Sequence, residues 1–158
     1  MQYICIWSFD FLLSISSPHF IFINYCLYWI ATGIEIYEKN GNKYAFISYT
    51  DTTNGLAVPY GKEYLVNVYS KEQARIDKQS FRDKADVVIV TMHWGEEYTH
   101  TPTYRQKQEA QYLSSLGVDL IIGSHPHVIM PVDYVGDTLV IYSLGNFMSG
   151  QVKENTRS

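Results

Sequence analysis

Asp86–Met92 reads DVVIVTM and Val118–Ile122 reads VDLII, two continuous apolar runs bounded by polar residues. Runs of this kind mark buried parallel strands, because a half-solvated antiparallel strand alternates apolar and polar positions. Between them, Thr101-Pro102 offers the cap and first-turn chemistry of a helix that Gly117 can close. Strand, helix and strand in this order form a βαβ unit, with parallel strands and a right-handed crossover. The first run ends in His93-Trp94-Gly95-Glu96-Glu97 and the second in Gly123-Ser124-His125-Pro126-His127. Both histidine-bearing turns therefore leave the carboxyl ends of parallel strands, the edge on which open α/β sheets build their sites. The 32 residues between His93 and His125 then collapse to neighbouring loops, provided that the two strands lie close in the sheet.

Upstream, Ile34–Tyr37 and Tyr44–Tyr49 flank Lys39-Asn40-Gly41-Asn42, and Asn-Gly between apolar stretches signals a hairpin. Asp51–Gly61 is a polar loop with Gly and Pro. Tyr64–Tyr69, with Leu65, Val66 and Val68, reads as a further strand, and Lys71–Ala85 as a charged surface helix with sparse apolar positions. The first 31 residues differ from all of this. They hold no Lys or Arg, both cysteines (Cys5 and Cys26) and a single acid, Asp10, and no charge occurs from Phe11 to Ile34. That length could cross a bilayer, but Pro18, His19 and Asn24 interrupt it, and it lacks both a basic n-region and a signal cleavage site. Residues 1–31 are thus an atypical apolar lead, either membrane-associated or foreign to the domain. Residues 32–150 form the domain, and 151–158 a tail.

Across 158 residues, 46 % aliphatic, aromatic or Cys against 18 % charged excludes a disordered chain. The net charge of −4 and the absence of a basic run argue against nucleic acid as a partner. Two cysteines are too few for a disulfide scaffold or a Cys-rich zinc site.

Imidazoles gathered on adjacent loops are useful chiefly as metal ligands, binding Mn, Fe or Zn through one ring nitrogen while a neighbour fixes the other. In His125-Pro126-His127 the proline sets the middle φ and stiffens the spacing of the two rings. His93, His125 and His127 are the candidate metal ligands. Glu97 and Asn146 are the candidates to support them from behind, although Glu96 and Glu97 also suit an exposed role and Asn146 suits turn chemistry. His19 and His100 read as structural, and Asp119 as an anchor at a strand start. A Ser-His-Asp centre is the weaker alternative, because Ser124 lacks the strand–Gly-x-Ser-x-Gly–helix elbow. Neither a P-loop nor Gly-x-Gly-x-x-Gly is present.

The block from His93 to Phe147 resembles the bacterial capsule synthesis, poly-γ-glutamate (CapA) family, itself similar to calcineurin-like metallophosphoesterases. The matching pieces are His93-Trp94-Gly95 with Glu97-Tyr98, Pro102-Thr103 with Gln106 and Ala110, Gly117-Val118-Asp119, Gly123-Ser124-His125-Pro126-His127 and Tyr142-Ser143-Leu144-Gly145-Asn146-Phe147. The hairpin over Gly33–Gly55 looks like the one that precedes this block in the family. The resemblance implies an α/β fold, a four-layer sandwich of two sheets flanked by helices. It implies a divalent metal centre of one or two ions (Mn, Fe or Zn), with His93, His125 and His127 among its ligands. It also implies a place at the cell envelope, making or exporting an anionic cell-surface polymer beside other capsule-synthesis components.

A full member of that family opens with a strand ending in Gly-Asp, then Asn-Leu-Glu and Asn-Asn-His motifs, none of which stands in residues 1–31. The sandwich is therefore expected to be partial, its amino-terminal half missing, and hydrolase activity to be weak or absent. Three functions are compatible with this inventory: a metal-dependent hydrolase-like domain, a non-catalytic polymer-handling component at the membrane, or an inactive remnant. Strands Val87–Val90 and Leu120–Ile122 lacking part of their cover are expected to promote self-association.

Overall fold

Two hairpins bracket a parallel core. The computed structural model describes residues 34–81 and 83–146. The apolar lead with Cys5, Cys26 and His19 lies outside them, as do Phe147 and the tail. Strands β1 (Glu35–Lys39) and β2 (Asn42–Thr50) form the first hairpin, turning through Asn40 (φ 53°) and Gly41 (φ 81°). Two successive left-handed residues make the tight turn that Asn-Gly foretells. Helix α1 (Lys71–Phe81) leads into β3 (Val87–His93), α2 (Tyr104–Ser115) into β4 (Leu120–Ser124), and β5 (Val132–Val135) with β6 (Thr138–Ile141) closes the sheet. The order is β1-β2-β3-β4-β6-β5. β2, β3, β4 and β6 run parallel, while β1 and β5 pair antiparallel at the two edges.

β3 and β4 are direct neighbours, so the expected βαβ unit is present in its most compact form. Two details depart from the sequence reading. Tyr64–Tyr69 is not a strand: Glu63–Leu65 is a single 3-10 turn and only Val68 bridges to Thr50. Its apolar residues lack a neighbouring strand to pair with, and Tyr64 and Val68 stay exposed. The helix begins two residues later than Thr101-Pro102 suggests. Thr103 is the cap, its hydroxyl accepting from the Gln106 N–H while the Gln106 side chain accepts from the Thr103 N–H at 2.9 Å. That reciprocal pair outcompetes a lone Thr-Pro start, because it satisfies two otherwise orphaned donors.

Two right-handed crossovers running in the same direction, β2–α1–β3 and β3–α2–β4, put both helices on one face of the sheet. Ala74 and Phe81 of α1 and Ala110 and Leu113 of α2 pack there with Ala45, Ile47, Val88, Val90, Met92, Ile121 and Val140. The opposite face has no helix among the described residues; its apolar side chains on β2, β3, β4 and β6 are half-buried, Ser48 and Thr50 are buried, and Val132 and Tyr134 of β5 are exposed. β3 and β4 consequently alternate between buried and half-buried positions, although Val87–Val90 and Leu120–Ile122 are apolar without a break. Of the layers implied by the resemblance, the described residues form two, one helical and one of sheet. Among them no helix is long and apolar enough to cross a membrane.

The amino ends of the strands are stapled by side chains. Asp119 Oδ2 accepts the Val88 N–H at 2.7 Å, and Asp86 Oδ2 accepts the Lys43 N–H at 2.8 Å. Thr138 Oγ1 donates to the Val118 carbonyl at 2.6 Å. Gly123 is required where β4 passes β6, since a Cβ there would stand 2.0 Å from the Tyr142 carbonyl oxygen and 2.5 Å from Trp94 Nε1. The space it vacates lets the buried Trp94 donate to that carbonyl at 2.9 Å.

Candidate metal centre

All four parallel strands deliver residues to one edge. β2 ends at Thr50, β3 at His93, β4 at Ser124 just before His125, and the chain leaving β6 supplies Asn146. Register places Thr50 opposite His93 and His93 opposite Ser124. The turns after β3 and β4 are tied together by backbone bonds from Trp94 N–H to the Ser124 carbonyl (3.2 Å) and from Tyr98 N–H to the Pro126 carbonyl (2.8 Å). The imidazoles of His93 and His125 accordingly lie 4.4 Å apart, centre to centre, and those of His125 and His127 lie 6.3 Å apart. The three histidines singled out by spacing are thus brought together.

Their ring tautomers follow from the bonding. Thr50 Oγ1 gives its only proton to the Thr52 carbonyl at 2.6 Å, so toward His93 Nδ1, at 3.1 Å, it can only accept. His93 therefore carries its proton on Nδ1 and presents the Nε2 lone pair. His127 Nδ1 lies 2.9 Å from Asn146 Oδ1, an oxygen that can only accept, so its Nε2 is likewise a bare donor atom. Burial, reinforced by the neighbouring His125 and His127, pushes the His93 pKa from 6.5 down to about 4. His125 is lowered as well, mainly by burial, with Glu97 opposing. Both rings are neutral at physiological pH, the form in which imidazole binds a metal.

The backbone here is held in unusual conformations. His125 (φ 98°), His127 (φ 61°) and Tyr98 (φ 63°) all adopt positive φ, a region that costs a non-glycine residue roughly 1–3 kcal/mol and is concentrated at functional sites. Tyr98 stacks on the His127 ring, with centres 6.0 Å apart and planes 24° from parallel.

Sequence reasoning missed two neighbours. Thr50 and Asp51 reach the site because β2 pairs in parallel with β3, which its hairpin pattern does not reveal. The Asp51 N–H donates to the His93 carbonyl at 2.9 Å. The nearly buried Asp51 and Glu109 carboxyls both bind the exposed Arg105, at 3.0 Å to Nη2 and 2.8 Å to Nε. Burial is the largest influence on both carboxyls and raises them, with Arg105 pulling both the other way. Glu96 and Glu97 are exposed, and Glu97 meets the histidines only through its field at His125. His100 donates its Nδ1–H to the Ile129 carbonyl at 3.1 Å, a structural contact.

The donor types fit a divalent cation. Two imidazoles sharing a tetrahedral ion, with metal–nitrogen bonds of about 2.0 Å, have ring centres about 5 Å apart, and the two spacings found here bracket that value. As they stand, no three His, Cys, Asp or Glu side chains among the described residues converge on one metal position.

A family model described as the bacterial capsule synthesis protein PGA_cap matches residues 31–151. The chain is 35 % identical over 129 residues to the PGA biosynthesis protein CapA of Bacillus subtilis, covering 77 % of this chain and 32 % of that protein. It is 34 % identical over 122 residues to the capsule biosynthesis protein CapA of Bacillus anthracis, covering 73 % and 29 %. It therefore spans about a third of the length of these curated relatives. Among solved structures, a candidate 5′-nucleotidase from Staphylococcus aureus in complex with alpha-ketoglutarate superposes with a TM-score of 0.50. The two chains are 20 % identical, over 72 % of this one and 24 % of that one, a likeness of fold alone. With most of its length matched by one family model, and with relatives a third identical, this chain belongs to the bacterial capsule synthesis protein family.

Proposed function

We propose that this chain acts in the synthesis or export of an anionic cell-surface polymer, poly-γ-glutamate by its kinship, at the cell envelope and beside other capsule-synthesis components. In this reading His93, His125 and His127 bind a divalent cation (Mn, Fe or Zn), with Thr50 and Asn146 orienting two of the rings. The observation that carries it is the pair of fixed tautomers, which aim Nε2 lone pairs from neighbouring strand ends. A bound cation supplies Lewis acidity to an oxygen of the anionic ligand and offsets the net charge of −4.

Binding, rather than hydrolysis, is what these residues support by themselves. The nearby carboxyls of Asp51 and Glu109 are committed to Arg105, so among the described residues neither stands as a free base beside the rings. Metal content by mass spectrometry tests the reading, on the purified chain beside a variant with His93, His125 and His127 all changed to Ala. About one metal per chain, lost in the variant, is the expected result for a three-ligand site. Equal metal in both proteins, or none in either, would sink it.

A further inference from the structure

We propose that Arg105 grips a carboxylate of the anionic ligand beside the histidine cluster, through the outer pair of N–H groups on its guanidinium. The inference rests on the reading of the chain as a handler of an anionic polymer. Arg105 stands in the first turn of α2. Its Nε–H donates to Glu109 Oε1 at 2.8 Å, and Nη2 donates to Asp51 Oδ1 at 3.0 Å. A guanidinium carries five N–H groups in a rigid fork, and these two bonds use only the edge that faces sideways from the stem. The outer edge, one N–H of Nη1 beside the second N–H of Nη2, has no partner among the described residues. Two parallel N–H groups of this kind match the two oxygens of a carboxylate.

Stability does not account for the trio. The Arg105 side chain is 63 % exposed, whereas those of Asp51 and Glu109 keep only 8 % and 6 %. Taking two carboxyls out of water costs more than a largely solvated guanidinium returns. Glu109 also buries Oε2 without a hydrogen-bond partner among the described residues, a further cost. What the two acids accomplish is to hold a long side chain in one plane before a ligand arrives, so that binding forfeits little rotamer freedom. Asp51 joins this fork to the histidines. Its N–H holds the His93 carbonyl at 2.9 Å while its Oδ1 holds Nη2, which keeps the two within about 10 Å of each other. Its charge is also felt at the His125 ring. Two carboxyls against one guanidinium leave no surplus positive field, so Arg105 selects by geometry at short range rather than by steering. A polymer with a carboxylate on every repeat can set one on the cation at the histidines and another on the fork.

Titration calorimetry on the full chain tests this, with a short γ-linked glutamate oligomer as the probe and the same oligomer carrying carboxamides as its neutral counterpart. The wild-type chain is expected to prefer the carboxylate form by about tenfold or more. Arg105→Lys keeps a positive charge between Asp51 and Glu109 but has no fork. It is expected to fold, by circular dichroism, and to lose about fivefold or more in affinity for the carboxylate form with little change for the carboxamide. Equal preference in the two proteins would overturn the proposal. So would an Arg105→Lys chain that unfolds, since the guanidinium would then be a structural clamp. Metal content of the same wild-type sample separates this inference from the cation reading. Metal without oligomer binding overturns Arg105 as the anchor and leaves the cation in place. Oligomer binding that falls in Arg105→Lys, in a chain holding no metal, supports Arg105 and sinks the cation alone.

Discussion

The two ends of the parallel strands follow opposite rules. At the amino ends three polar side chains are consumed by backbone groups: Asp119 by Val88, Asp86 by Lys43, Thr138 by Val118. Side chains there serve as staples for the backbone. At the carboxyl ends polar side chains bind one another, Thr50 with His93 and Asn146 with His127, and three residues sit at positive φ. Glu109 Oε2 and Tyr69 Oη are both buried without a hydrogen-bond partner. One edge is built for stability, and the other holds strain and unsatisfied groups that stability alone would remove.

That contrast can be broken or sharpened by substitution. The largest effect is expected at Gly123→Ala, where the new methyl meets the Tyr142 carbonyl carbon and oxygen. Backbone cannot yield as a flexible side chain can, so a loss of about 3 kcal/mol or more is expected in urea unfolding, with insoluble protein as the extreme result. Asp119→Ala, at the stapled edge, is expected to cost about 1–2 kcal/mol, because the Val88 N–H loses a charged acceptor. His125→Gly, at the strained edge, is expected to leave stability unchanged or raise it by up to about 1 kcal/mol, since glycine accepts φ 98° freely. A loss there equal to that of Asp119→Ala would erase the distinction between the edges.

The smallest effect is a pH slope. His93 titrates near 4 in the folded chain against 6.5 unfolded, so between those values the unfolded state binds the extra proton. Stability from this group is complete above about 6.5 and falls as pH drops toward 4. Replacing His93 by Gln should remove that part of the slope, as read from urea midpoints between those two pH values. An unchanged slope would mean that the ring is not buried as described.

Much of this was legible in the sequence. DVVIVTM and VDLII gave the parallel pair because only strands pack such runs between crossovers, and the histidines then followed from where those strands end. Asn146 could be picked out as a support for a histidine, but its partner, His127, could not. What the sequence hid was set by distant pairing. NKYAFISYT looks like half of a hairpin, and nothing local says that its other edge adds to β3 and carries Thr50 and Asp51 to the site. Tyr64–Tyr69 has the composition of a strand but meets β2 only at a single bridge between Val68 and Thr50, and composition cannot report how much of a neighbour there is.

One small device couples the site to the helix behind it. Gln106 closes the cap of α2 and also fills the space beside Gly95, where a Cβ would stand 2.7 Å from its amide carbon. The turn that follows His93 and the first turn of α2 are therefore packed together through one side chain, like two teeth of the same gear. A ligand that drew His93 outward would have to loosen the amide's hold on the helix start. Far-ultraviolet ellipticity then becomes an optical reporter of occupancy, readable with a colourless metal that has no signal of its own.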